Sequence, residues 1–319
     1  MVRAKLVPLA AIYTSILGAA LTAQTNYGSA PVGASRLSVS GGNTPISSPY
    51  VHADTAHLVV ENISLAGAEL TLDFSNGQFE ASELAPDRYP GYYLEVIKEG
   101  QFLGMYFDIE ANTEGSLTIT TWDDPSQPVE VGDTVIVRKH LTVGEFFAAA
   151  ESSLVPYADS VKFFEAGNVS YSLLWDGTKW TRDFVNDDSS WPIYPGQGFV
   201  CIFAQDIDFV VTGHVKTTPT QVPVYNGSNN FVGTLSPIAS DFDTLGVSAW
   251  MLPYADSFKF LSNDGTLSAG ATYIYDGTKV TPDFLTDAGT VPIAPHEAFL
   301  LLPASDLNWP VPPAYSVTE

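Results

Sequence analysis

From His57 onward the chain runs in short stretches in which apolar and polar residues alternate, each stopped by turn-forming residues. Leu58–Val60, Glu69–Phe74, Tyr92–Ile97, Met105–Ile109, Leu117–Trp122 and Thr134–Val137 follow this pattern. A period of two sends successive side chains to opposite faces of a strand, so these stretches are expected to be strands with one buried face. Ser75-Asn76-Gly77 suits a tight hairpin because Asn and Gly accept positive φ, and Glu99-Gly100 and Asn112 to Gly115 suit the next two turns. An antiparallel meander of this kind closes as a small barrel or sandwich.

Farther along, two stretches match. Pro156-Tyr157-Ala158-Asp159-Ser160 recurs as Pro253-Tyr254-Ala255-Asp256-Ser257, and Asp176-Gly177-Thr178-Lys179 recurs as Asp276-Gly277-Thr278-Lys279. The register then holds through Asp183-Phe184 and Asp283-Phe284, Pro192-Ile193 and Pro292-Ile293, and on to Asp206 and Asp306. Matches of this length mark whole structural units. Helix is scarce. Thr142-Val143-Gly144-Glu145 has the spacing of a capping box, which predicts one short helix carrying Phe146, Phe147 and Leu154, and Ser240 to Asp243 offers a similar start before Phe242 and Leu245.

The expected fold is therefore mainly β: an antiparallel β-barrel or sandwich as N-terminal domain, followed by two tandem β-rich repeats, each with one short helix. The expected boundaries are a flexible arm or linker at 24–50, the N-terminal β domain at 51–130, the first repeat at 131–213, a connector at 214–223, the second repeat at 224–313 and a tail at 314–319. The arm is expected from its Ser, Gly, Ala, Asn and Pro content and its lack of periodic apolar positions.

Arg3 and Lys5 precede the apolar run Leu6 to Leu21, and Thr22-Ala23-Gln24 follows, the layout of a signal peptide at 1–23. The run contains Pro8, Thr14 and Ser15 and is shorter than a spanning helix prefers, so export with a periplasmic, extracellular or cell-surface destination is expected, with no stable membrane insertion of the mature chain. The formal net charge is −23; without Arg3 and Lys5 the chain has 11 basic against 36 acidic residues, a charge of −25. That charge disfavours a phosphate backbone as partner and favours a soluble surface. The single cysteine, Cys201, lies in the apolar run Gly198 to Phe203 and reads as a small buried hydrophobe; no intramolecular disulfide is available to the chain.

Gly91-Tyr92-Tyr93-Leu94-Glu95-Val96, Tyr106-Phe107-Asp108-Ile109, Asn112-Thr113, Gly132-Asp133-Thr134 and Val137-Arg138-Lys139-His140-Leu141-Thr142, followed by Tyr194-Pro195-Gly196-Gln197-Gly198-Phe199, resemble a paralogous family of exported proteins in Verrucomicrobia. The second copy departs from the last motif as Ala294-Pro295-His296-Glu297-Ala298-Phe299. The resemblance covers most of the chain from about residue 85 to about 310. It implies export and a β-rich fold and carries no activity.

Candidate chemistry is sparse. His52, Asp54 and His57 are metal-ligand types close together, without the set that a zinc site needs. Asp123-Asp124, Asp187-Asp188, Asp206 with Asp208 and Asp241 with Asp243 are of the type Ca²⁺ takes, but in so acidic a chain they read as solvated turns, and no cofactor is expected. No nucleophile elbow, zincin, phosphate-loop or EF-hand string occurs, and no catalytic residue is assigned. The first repeat carries Trp175, Trp180, Trp191 and Tyr194 where the second has Tyr275, Val280, Val291 and Ala294. Trp180, Trp191 and Tyr194 are therefore the candidate binding surface, with burial against the N-terminal domain as the competing reading.

Three functions stay open at this point. The favoured one is a non-catalytic exported protein acting through surface or extracellular protein contacts. The others are a glycan-binding module using the rings of the first repeat and a polysaccharide hydrolase.

Overall fold

The computed structural model describes residues 31–74, 79–121, 127–166 and 169–315; the expected signal peptide, the Ser75-Asn76-Gly77 turn and the Asp123-Asp124 pair lie outside them. Over the described residues the protein is mainly β. A first lobe opens with β1 (Val32–Val39) and β2 (Gly42–Ser47). The chain then leaves for a separate sheet of β3 (Asp54–Val59), β4 (Asn62–Ala66), β5 (Glu69–Asp73), β6 (Tyr92–Val96), β7 (Tyr106–Asn112), β8 (Ser116–Thr120) and β9 (Thr134–Lys139). It returns to the first lobe through β10 (Leu141–Thr142), the helix α1 (Val143–Phe147) with a 3-10 extension to Ser153, β11 (Ser160–Phe164), β12 (Ser170–Trp175), β13 (Trp180–Thr181), β14 (Pro192–Ile193), β15 (Gly198–Phe203) and β16 (Ile207–His214). The second lobe comprises β17 (Thr220–Val224), β18 (Asn230–Gly233), β19 (Ser240–Asp241), β20 (Ser257–Leu261), β21 (Ala269–Tyr275), β22 (Val280–Thr281), β23 (Pro292–Ile293), β24 (Ala298–Leu302) and β25 (Leu307–Val311).

The expected arm at 24–50 is corrected over its described part. β1 lies antiparallel on β16, from Val32 opposite His214 to Val39 opposite Ile207, and β2 lies on β15, from Gly42 opposite Phe203 to Ser47 opposite Gly198. The strand pattern was hidden because two sites in β1 carry small residues beneath the buried Tyr50. A Cβ on Gly33 would overlap the Tyr50 ring, and the Ser35 hydroxyl meets the Tyr50 hydroxyl at 2.6 Å. The expected start of the first repeat at 131 is corrected too, since β9 belongs to the separate sheet, where it pairs with β3 and β6.

With β1 and β2 in place, the two lobes pair strand for strand. One has a five-stranded sheet in the order β13-β12-β11-β15-β2, the other β22-β21-β20-β24-β18. Ser160 opposes Leu174 and Ile202, and Ser257 opposes Ile274 and Leu302. β10 pairs with β14 as β19 pairs with β23, and β1 with β16 as β17 with β25. Residues 48–140 separate β2 from β10, whereas 234–239 separate β18 from β19, so the seven-stranded sheet is inserted within the first lobe.

Matched side chains set the matched backbone. Asp159 is buried and accepts the Val155 and Ala204 amides, each at 2.7 Å; Asp256 does the same for Leu252 and Ala304, each at 2.7 Å. Asp176 accepts the Thr178 and Lys179 amides at 2.8 and 2.9 Å, and Asp276 those of Thr278 and Lys279 at 2.8 and 2.9 Å. These carboxylates satisfy amides that no strand partner reaches.

The helix at Thr142 forms as its capping box predicts: Thr142 Oγ1 accepts the Glu145 amide at 3.2 Å, and the Glu145 carboxylate accepts the Thr142 amide at 3.0 Å. The second lobe departs from expectation. Asp241, not Ser240, accepts the Thr244 amide at 2.7 Å, Gly246 turns left-handed at φ 61°, and only a 3-10 turn at Val247–Ala249 follows.

The inserted sheet runs β3-β9-β6-β7-β8-β5-β4, so β6-β7-β8 is a meander while β9 sits between β6 and β3. Each lobe and the inserted sheet has its own apolar core, and a small cluster of Val200, Phe231 and Leu300 joins the lobes. A buried ionic network ties the sheet to the connector between β16 and β17. Glu95 on β6 accepts Lys216 Nζ at 2.6 Å and Arg138 Nε at 2.9 Å, along with the Thr218 hydroxyl. Burial pulls Lys216 down to about 8 against the attraction of Glu95; burial pushes Glu95 up, but Lys216 and Arg138 outweigh it and hold the carboxyl below its ordinary value. Among the described residues no helix is long and apolar enough to cross a membrane.

Candidate functional site

The three rings singled out from the sequence do not form one surface. Trp180 is 0% exposed, its ring 5.1 Å from Phe147 of α1 and 5.7 Å from Trp175. Trp191 is 8% exposed, covered by Tyr89 at 5.0 Å, Tyr171 at 5.2 Å and the Arg182 guanidinium at 4.8 Å. Tyr194 is half-buried and donates its hydroxyl to Asp108 Oδ2 at 2.9 Å, where burial and the Asp108 charge push the phenol up.

Local neighbours account for the rings. Trp180 packs on a helix that the second lobe lacks. Trp191 and Tyr194 meet Tyr89 and Asp108, both from the inserted segment. Asp188 follows the same logic: buried, it accepts the Tyr89 hydroxyl and the Arg182 amide (2.7 Å) and pairs with Arg88 at 3.1 Å. The second lobe places Ala288 there, with the same backbone bond to residue 280 that Asp188 makes to Trp180.

A different set of rings is exposed and occurs in both lobes. Tyr157 and Phe184 are 68% and 59% exposed with centroids 6.2 Å apart; Tyr254 and Phe284 are 69% and 55% exposed and 6.1 Å apart. Val185 and Leu285 stand beside them, also exposed. All four aromatic residues are left-handed, at φ 63°, 62°, 61° and 65°, a conformation that costs a residue bearing a Cβ about 1 kcal/mol.

The loops that carry these rings are tightly bonded. The Tyr157 amide donates to the Trp175 carbonyl and the Tyr254 amide to the Tyr275 carbonyl, each at 2.7 Å. Asp183 accepts the Val185 and Asn186 amides at 2.9 and 2.8 Å, and Asp283 those of Leu285 and Thr286 at 2.9 and 2.7 Å. Those backbone bonds lower both carboxyls, Asp283 to about 2. Lys179 and Lys279 then bond the carbonyls of Val185 and Leu285 at 2.9 and 2.6 Å. The signal for these rings was present in the matched strings Pro-Tyr-Ala-Asp-Ser and Asp-Phe, but nothing in sequence separates a turn residue from a displayed one.

The metal-ligand types are dispersed. His52 pairs with Glu145 at 3.1 Å and His57 with Asp54 at 2.8 Å. Asp206 accepts the Gly41 amide at 2.8 Å, Asp208 pairs with Arg36 at 2.7 Å, and Asp187 accepts the Ser189 amide at 2.9 Å. Among the described residues no group of three His, Cys, Asp or Glu side chains is placed to hold a metal. Cys201 is buried, and burial pushes its thiol well up, away from nucleophilic use. In comparisons with known proteins, no family model, no curated protein and no solved structure matches the chain.

Proposed function

We propose that this is an exported, non-catalytic β protein that works by surface contact, with Tyr157–Phe184 and Tyr254–Phe284 as matched contact points on two copies of one lobe. The observation that carries this reading is the fate of the rings across the two lobes. Buried Trp180 and Trp191 and half-buried Tyr194 change with their surroundings, whereas the exposed aromatic pairs are kept together with their strained backbone. Packing retains a core ring; it gives no reason to retain an exposed one. Val185 and Leu285 make each platform apolar as well as aromatic, which suits a protein surface better than a sugar ring and its hydroxyls. The signal peptide at 1–23 and membership of the exported Verrucomicrobial family belong to the same proposal.

Fractionation of cells making the tagged chain tests it. The wild type is expected with the cell surface or an extracellular assembly, and the fourfold variant Tyr157→Ser, Phe184→Ser, Tyr254→Ser, Phe284→Ser is expected free in the medium with an unchanged melting temperature. A variant that stays attached overturns the reading, and release of the wild type by soluble polysaccharide moves it to a glycan partner.

A further inference from the structure

A pocket of about 300 Å³ opens where the inserted sheet and the two lobes meet. Tyr106 and Asp108 reach it from β7, Glu165 and Tyr194 from the first lobe, and Tyr225 and Phe231 from the second. Its volume is at the lower end for a small-molecule site. Four of these six residues are aromatic, and the Tyr106 and Tyr194 rings lie 6.3 Å apart at an angle of 23°.

The charged groups that line the pocket, Asp108 and Glu165, are both carboxylates; the amides of Gln197 and Asn230 beside them are neutral. Asp108 is fixed by two donors, His140 Nε2 on Oδ1 and the Tyr194 hydroxyl on Oδ2, each at 2.9 Å. Glu165 is exposed at the rim, and among the described residues its carboxylate has no hydrogen bond or ion pair. Neither lysine nor arginine lines the pocket, though Lys162 Nζ lies over the ring of the lining residue Phe164 at 5.2 Å. Ring faces carry negative quadrupole charge, and both carboxylates add to it, in a chain of net charge −23. An anion is repelled by such a site, whereas a cation gains from both carboxylates and the ring faces.

We infer that this pocket binds a small organic cation of the alkylammonium class, its ammonium group against the tyrosine rings and Glu165 as counter-charge. The site is independent of the exposed aromatic pairs. Calorimetric titration of the chain from residue 24 onward with choline and with tetramethylammonium tests it, using the neutral isostere 3,3-dimethylbutan-1-ol and a neutral oligosaccharide as controls. Both cations are expected to bind at millimolar concentrations or below, and the isostere roughly tenfold more weakly. Glu165→Gln, at an exposed position, is expected to weaken choline roughly two- to fivefold with an unchanged melting temperature. The inference is overturned if neither cation gives heat while the protein melts cooperatively, if the isostere binds as well as choline, if Glu165→Gln leaves choline binding unchanged, or if the oligosaccharide binds and the cations do not.

Discussion

His296 shows how one residue departs from its counterpart. Gly196 holds the equivalent turn position at φ 76°, where a Cβ would press on Val222, and His296 accepts a similar φ of 66° with a full side chain. Its imidazole is buried, and neither ring nitrogen has a partner among the described residues. Burial lowers it from 6.5 to about 4. A folded-state pKa below the unfolded one means that the unfolded chain binds the extra proton first, so stability is lost as pH falls from 6.5 to 4. At about 1.4 kcal/mol per pH unit the loss is about 3 kcal/mol. Urea unfolding at pH 7 and pH 4.5 checks this: His296→Gly, which reproduces the residue at position 196, is expected to lose about 2–3 kcal/mol less than the wild type between the two pH values. The unpaired imidazole was invisible in the sequence, because Ala294-Pro295-His296-Glu297 reads as a polar turn and its burial comes from packing.

Among the elements, α1 was the most legible, because every interaction that starts it lies within four residues. Glu145 caps Thr142 and also receives Lys139 at 2.5 Å and His52 at 3.1 Å; burial opposes its charge, but these partners hold it at about 2. Thr142→Ala is expected to cost about 1 kcal/mol in thermal or urea unfolding. The second lobe's start failed to give a helix because Asp241 captures the Thr244 amide and Gly246 turns the chain. β5, β7 and β8 followed their alternation, and β6 and β9 formed strands but are buried on both faces, while β4 was missed: it is an edge strand paired with β5, and its residues are mostly exposed, so no apolar face marks it. β1 was missed because Gly33 and Ser35 make room for the Tyr50 ring, and β2 because its buried positions include the polar Thr44 and Ser47. Deletion of 24–47 is expected to uncover the β15 and β16 edges and make the first lobe sensitive to protease, which limited proteolysis against the undeleted chain will show.

At the level of the molecule, the Glu95–Arg138–Lys216 network fixes the inserted sheet to the connector between the lobes, from residues more than a hundred positions apart in the case of Glu95 and Lys216. Lys216→Met removes one partner of a buried pair and is expected to cost about 3–5 kcal/mol in chemical denaturation, with Glu95→Gln added to it restoring part of the loss. The candidate surface of Trp180, Trp191 and Tyr194 could not be judged without this level, since its burial depends on α1, Tyr89 and Asp108. The sequence by itself determined the β character, the capped helix and the matched turns of the two lobes, because alternation, capping and Asx chemistry act between near neighbours. Tertiary structure alone decided that 31–47 completes the first lobe, that a whole sheet is inserted within it, and which rings face water. Those outcomes rest on strand pairing and burial between distant segments, and a local pattern of residues does not specify its distant partner.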